Sequence, residues 1–86
     1  MNRAFRKAEQ GTVSDIKKTY LYYFNKYKNN KSKMLRLAAL LYNRASKLRE
    51  TKDKRKTTLY DNLFLKCNDY YITTFTKDLD DYYDLF

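Results

Sequence analysis

The sequence predicts a small all-α protein, a bundle of three to four helices with a helix-turn-helix-like middle pair. Residues of high β propensity are scarce, since valine occurs once and isoleucine twice in 86 residues. Glycine occurs once and proline is absent, so the turn signals that separate short strands are also missing. A chain of this length forms a single domain with a thin core.

The segment from Met34 to Lys56 organises the rest of the chain. Its apolar residues recur at the three- and four-residue steps of one helix face: Met34, Leu37, Ala38, Leu41, Ala45 and Leu48. The opposite side of this helix is predicted to form a basic ridge, which comprises Arg36, Asn43, Lys47 and Lys54. We expect a helix from Lys33 to about residue 50 that packs against both of its neighbours.

The chain before this segment predicts two further helices. Asn2 to Gln10 is predicted to be a short helix with Phe5 as its only large apolar residue, and Gly11 is expected in the left-handed conformation that ends helices. Arg3, Arg6 and Lys7 make this helix basic, which suits a lid or an arm lying along a phosphate backbone; the alternative is a frayed terminus. Thr12 and Asp15 match a capping box at the start of the second helix. The apolar stripe of that helix comprises Ile16, Tyr20, Tyr23, Phe24 and Tyr27.

The turn after the second helix runs from Asn29 to Ser32, and Ser32 is the expected N-cap of the third helix. Two amphipathic helices joined in this way have a helix-turn-helix-like layout, which is a topological likeness only. Beyond residue 48, Arg49 to Lys56 has no apolar residue, so we expect a charged loop. Thr57 or Thr58 would then cap a last helix from Leu59 to Phe75. The β-branched and aromatic stretch 70–76 leaves a short strand as the alternative.

Charge is distributed unevenly along the chain. Residues 1–60 hold seventeen basic and four acidic side chains, a balance of +13, whereas residues 61–86 hold two and six, a balance of −4. A basic body attracts polyanions, chiefly nucleic acid. Codon bias in an AT-rich genome would also enrich lysine, asparagine and tyrosine, but it does not explain the segregation of charge.

Nucleic-acid binding is the function that this charge favours. Lysines would hold phosphates while the first turn of the third helix, with Ser32, Lys33 and Arg36, approaches base edges. Aromatic and basic residues do not visibly alternate on the exposed faces, which favours backbone contacts over base stacking. The predicted binding residues are Lys17, Lys18, Lys28, Lys31, Lys33, Arg36, Arg44, Lys47, Lys54, Arg55 and Lys56.

The residues that catalysis and metal binding require are sparse. Histidine is absent, and Cys67, the single cysteine, lies on a predicted apolar face where a buried hydrophobe is expected. Asp78, Asp80, Asp81 and Asp84 could hold a cation, but the segment lacks the glycine and glutamate of a calcium loop. We therefore expect a non-enzymatic protein without a metal or cofactor.

Its expected location follows from the same residues. One cysteine permits no internal disulfide, which favours the cytoplasm. The longest apolar run, 37–42, is too short to span a membrane, so no membrane association is expected.

The C-terminal sequence DLDDYYDLF supports a second class of function. Its mixture of aspartate with aromatic residues resembles the acidic tails of single-strand-binding proteins and the hydrophobic-acidic peptides that bind sliding clamps. The resemblance implies docking on a protein partner through Leu79, Tyr82, Tyr83, Leu85 and Phe86. The alternative is that the tail folds back to close the core, because residues 79, 82 and 86 share one helical face.

Two functions are thus predicted. The first is a small basic nucleic-acid-binding protein, such as a regulator or accessory factor of a phage or plasmid. The second is a protein-interaction module that docks on or inhibits a larger machine through its tyrosine-rich faces and its tail. Two wide apolar faces also suggest a homodimer.

Overall fold

The computed structural model describes residues 1–76, which form four α-helices and no strand. These are α1 (Asn2–Ala8), α2 (Val13–Tyr27), α3 (Lys31–Arg49) and α4 (Lys54–Phe75). The predicted all-α bundle is confirmed. The strand alternative for 70–76 is wrong, because α4 continues to Phe75. None of the four helices is both long and apolar enough to cross a membrane.

Helices α3 and α4 form an antiparallel hairpin that contains most of the core. The predicted stripe of α3 is confirmed, since Met34, Leu37, Ala38, Leu41 and Ala45 are all buried. On α4 the buried residues are Leu59, Tyr60, Leu63 and Cys67. Helix α3 has its most extensive contacts with α4 and also touches α2, which makes it the central element.

Cys67 fills this core as a small hydrophobe, as predicted. Its side chain is fully buried, with Sγ 3.5 Å from the sulfur of Met34. Burial raises the pKa of the thiol to about 11, so Cys67 is protonated at neutral pH. A buried, protonated thiol is a poor nucleophile.

Helix α2 begins at the predicted capping box and packs through the predicted stripe. The backbone N–H of Thr12 donates to the Asp15 carboxylate at 2.7 Å, and this hydrogen bond lowers the pKa of Asp15. Ile16 and Tyr20 are buried. At its other end α2 is tied to α4, because the hydroxyl of Tyr70 donates to the Lys28 carbonyl at 2.7 Å.

Gly11 does not have the left-handed conformation that the sequence predicted, since its φ is not positive. A glycine is instead required because the Asp15 side chain lies close to the Gly11 backbone. A Cβ at this position would stand 2.2 Å from the Asp15 carboxylate oxygen that caps α2. Any larger residue therefore displaces the capping carboxylate.

Helices α3 and α4 each begin earlier than predicted, because a residue before the predicted N-cap caps each helix. Asn30, not Ser32, caps α3 by accepting the Lys33 N–H at 3.0 Å. Asp53 caps α4 by accepting the Lys56 N–H at 3.2 Å, so Lys54 begins the helix. The predicted charged loop is wrong at 54–56, and Lys54 does not belong to the ridge of α3.

Helix α1 is held to the bundle by one apolar side chain and one carboxylate. Phe5 is fully buried, 6.1 Å from the ring of Tyr60, which rules out the frayed-terminus alternative. Just after α1, the Glu9 carboxylate accepts two hydrogen bonds from the Arg44 guanidinium, one from Nε at 2.6 Å and one from Nη2 at 2.5 Å. It also accepts the Tyr60 hydroxyl at 2.8 Å, and Lys56 donates its ammonium to the Glu9 carbonyl.

These contacts determine the protonation states of the cluster. Burial by itself raises the pKa of Glu9, but the hydrogen bonds from Arg44 and Tyr60 and the charges of Arg44 and Lys56 lower it overall. Burial and the Glu9 carboxylate raise the pKa of the Tyr60 phenol. Glu9 is therefore ionised and Tyr60 neutral across the physiological range.

Replacing Glu9 by glutamine tests this cluster. Glu9→Gln removes the charge that Arg44 requires and should lower the free energy of unfolding at pH 7 by about 1 to 3 kcal/mol, the usual contribution of charge-assisted hydrogen bonds. Because the folded-state pKa is lowered, the stabilisation is complete above about pH 4.5 and is lost as pH falls through the folded pKa. Urea unfolding followed by circular dichroism at pH 7 and pH 3 measures it. A difference between the two proteins that does not shrink at pH 3 would contradict the assignment.

Substitution of Gly11 tests the close approach at the capping box. Gly11→Ala should lower the unfolding temperature by about 4 to 8 °C, the effect of losing one helix cap in a domain of this size. Asp15→Ala supplies the matched control, since the alanine at 11 then has no carboxylate to displace. Thermal unfolding of both single variants and the double variant should show that Gly11→Ala has little effect when Asp15 is already absent.

Candidate nucleic-acid interface

An open groove of basic character lies between α1 and α3. Its volume is about 520 Å³. Two of its lining residues belong to α1 and the others to α3. The lining residues are Asn2, Arg6, Arg36, Ala39, Leu40, Asn43, Arg44, Ser46 and Lys47.

Four cations line this groove, Arg6 from α1 and Arg36, Arg44 and Lys47 from α3. Arg36, Asn43 and Lys47 lie on one exposed face of α3, as the helical spacing predicted. From Arg36 to Lys47 this face extends about 16 Å, at 1.5 Å per residue. This length suffices for contacts with successive phosphates of one nucleic-acid strand.

Helix α1 extends the basic surface beyond the groove. Arg3, Arg6 and Lys7 line an adjoining cleft that shares Asn2 and Arg6 with the groove. The predicted set of binding residues omitted Arg6. The signal was present, because one large apolar residue among three cations suits a short helix that is anchored by Phe5 and exposes its charge.

Two of the predicted binding residues have structural partners. The guanidinium of Arg44 lines the groove, but it donates two hydrogen bonds to the Glu9 carboxylate. The Arg44 side chain is only 14% exposed. Lys56 donates to the Glu9 carbonyl and lies 3.6 Å from the Asp53 carboxylate. We therefore assign Arg44 and Lys56 to the attachment of α1, since contact with a ligand would require breaking these interactions.

The remaining predicted residues lie in other parts of the surface. Lys17 and Lys18 are exposed on α2, Lys28 is exposed directly after α2, and Lys31 is exposed at the start of α3. Lys54 and Arg55, in the first turn of α4, line a small cleft with Val13 and Thr58. Lys33 lies one turn before Arg36 on α3, and its ammonium is close to the ring of Tyr27 on α2. Of the predicted residues, the structure thus brings Arg36, Arg44 and Lys47 together in one groove.

The predicted partner-binding residues Leu79, Tyr82, Tyr83, Leu85 and Phe86 lie outside the described residues. The same is true of the four aspartates considered for a cation site. Within residues 1–76, no group of three or more metal-ligating side chains is clustered.

Comparison with known proteins adds no constraint to this geometry. No family model matches the sequence, and no match is found among curated proteins or solved structures. The function is therefore argued from the groove and its surroundings.

Proposed function

We propose that this protein binds nucleic acid without catalysing a reaction, using the α1–α3 groove as its contact surface. The observation that carries the proposal is the convergence of Arg6, Arg36 and Lys47 on one groove. Within residues 1–76, no carboxylate lies at ion-pair distance from any of these three side chains. Their charges are therefore available to phosphates.

The groove differs from a diffusely charged surface because its walls are fixed. Arg36 and Lys47 belong to a helix whose opposite face is fully buried, and Arg6 follows Phe5, which is also fully buried. Because the helices that carry these cations are fixed, only the side-chain rotamers have to be ordered when they bind a polyanion. The remaining lysines would add long-range attraction that salt screens.

Charge reversal in the groove tests the proposal. Arg36→Glu with Lys47→Glu should weaken binding of a fluorescein-labelled oligonucleotide by at least about 10-fold at 100 mM salt. The slope of log K against log salt concentration should decrease by about 2, because two phosphate contacts are lost. Fluorescence anisotropy at several salt concentrations measures both quantities.

Lys17→Glu with Lys18→Glu is the matched control, because it changes the net charge equally on an exposed face of α2. This variant should weaken binding much less than the groove variant. Equal losses in the two variants would mean that the attraction is diffuse and that the groove is not the site. Affinity that is indifferent to salt would contradict nucleic-acid binding by this surface altogether.

Protein interaction is a second candidate function, favoured by exposed apolar side chains. Leu35 and Tyr42 are about half exposed on α3, and Leu65 and Ile72 are 62% and 43% exposed on α4. In each pair the residues are seven positions apart and share a helix face. Large exposed apolar residues that repeat along a helix are typical of contact surfaces for a partner or a second copy.

The two candidates separate under nuclease treatment. If α4 docks on a protein, partners captured by this chain survive nuclease and are lost when Leu65→Gln and Ile72→Gln are combined. Sedimentation of the unmodified protein and of the Leu65→Gln, Ile72→Gln variant tests self-association. If a homodimer forms through this face of α4, the variant should sediment as a monomer. Capture that disappears with nuclease and is unchanged in the variant would exclude this second function for α4.

A further inference from the structure

Three tyrosines of α2 form a continuous row of rings, here called the tyrosine ladder: Tyr22, Tyr23 and Tyr27. The ring centroids of Tyr22 and Tyr23 are 5.0 Å apart with an edge-to-face arrangement. Those of Tyr23 and Tyr27 are 6.0 Å apart, and their planes differ by only 13°. Tyr22 is 59% exposed, so its ring is accessible to a ligand.

Two lysines alternate with these rings. The ammonium of Lys26 lies 5.6 Å from the ring centroid of Tyr22 and 5.5 Å from that of Tyr27. The ammonium of Lys33, from α3, lies 5.6 Å from the ring of Tyr27. The sequence-based expectation that aromatic and basic residues do not alternate is therefore wrong at this surface. Lys26 follows Tyr22 by one helical turn, and the short α2–α3 connection brings Lys33 to Tyr27.

The ladder is held in place by the core and adjoins the α1–α3 groove. The ring of Tyr23 packs 5.9 Å from that of Phe5, which is fully buried. Lys33 stands one turn before Arg36, a groove residue, on the same helix. A single strand that leaves the groove at Arg36 would thus meet Lys33 and then the ladder, in which Tyr22 is the exposed ring and Tyr23 and Tyr27 are half-buried.

We infer that the tyrosine ladder binds unpaired bases of a single-stranded nucleic acid whose phosphates lie in the α1–α3 groove. This inference rests on the proposed function and specifies the form of its ligand. Aromatic rings interleaved with cations match the two components of a single strand, since bases stack on rings and phosphates pair with ammonium groups. The bases of a duplex are already stacked on one another and offer no free face to Tyr22.

Replacing the most exposed ring tests the inference. Tyr22→Leu keeps an apolar side chain but removes the stacking surface, and it should weaken binding of a labelled twenty-nucleotide oligomer by about 10-fold. Tyr22→Phe keeps the ring and should bind within about 2-fold of the unmodified protein. Tyr42→Leu is the matched control, because Tyr42 is 54% exposed but packs on Phe64, outside the ladder. Circular dichroism verifies that each variant is folded.

The probes are a thymidine deoxyoligomer, a uridine oligoribonucleotide and a DNA duplex of twenty base pairs, all measured by fluorescence anisotropy at 100 mM salt. Tyr22→Leu should weaken both single strands and leave duplex affinity unchanged.

Failure of this inference is distinguishable from failure of the proposed function. If the groove variant weakens all three probes while Tyr22→Leu binds each like the unmodified protein, the ladder has no role and the groove remains the site. If Tyr22→Leu and Tyr42→Leu reduce binding equally, the effect is not stacking and the inference is overturned. If no probe binds in a salt-dependent manner, the proposed function is excluded, and base binding by the tyrosine ladder is excluded as well.

Discussion

The position of α1 depends on the Glu9 carboxylate, and the α1–α3 groove depends on the position of α1. A helix of seven residues with one large apolar side chain has little independent stability. The bidentate contact with Arg44 and the hydrogen bond from Tyr60 attach it to α3 and α4. Arg6, which forms one wall of the groove, is thereby held opposite Arg36 and Lys47. A pair of opposite charges thus organises a surface of like charges.

The basic residues of this protein divide into two groups by their partners. Arg44 and Lys56 are bound to Glu9, so their charges contribute to attachment within the chain. Arg36 and Lys47 lie on the same helix as Arg44 and line the same groove, but within residues 1–76 no carboxylate is at ion-pair distance from either. Net charge alone would count all four equally. The difference matters for affinity, because only a cation without an internal partner can exchange its counterions for phosphates without first losing a contact.

Local patterns predicted much of the fold, and long-range contacts account for the errors. The spacing of Met34 to Ala45 and the Thr12–Asp15 capping box were readable because each involves residues within a few turns. The starts of α3 and α4 could not be predicted, because each helix has two candidate capping residues and packing decides between them. The candidates are Asn30 and Ser32 for α3, and Asp53 and Thr57 for α4. Arg44 could not be distinguished from Arg36 on α3, since its partner Glu9 is 35 residues away. The pairing of Tyr22 with Lys26 was local and could have been predicted, whereas that of Tyr27 with Lys33 required the turn.

The contacts of Glu9 also imply an order of assembly. The α3–α4 hairpin joins neighbouring segments through a short connection, so its closure costs little chain entropy. Helix α1 instead finds its partners across 35, 47 and 51 residues, at Arg44, Lys56 and Tyr60. During synthesis α1 emerges from the ribosome before these partners do. The groove cannot be complete until they are available, so a nascent chain carries its positive charge before it has a surface that can position a ligand.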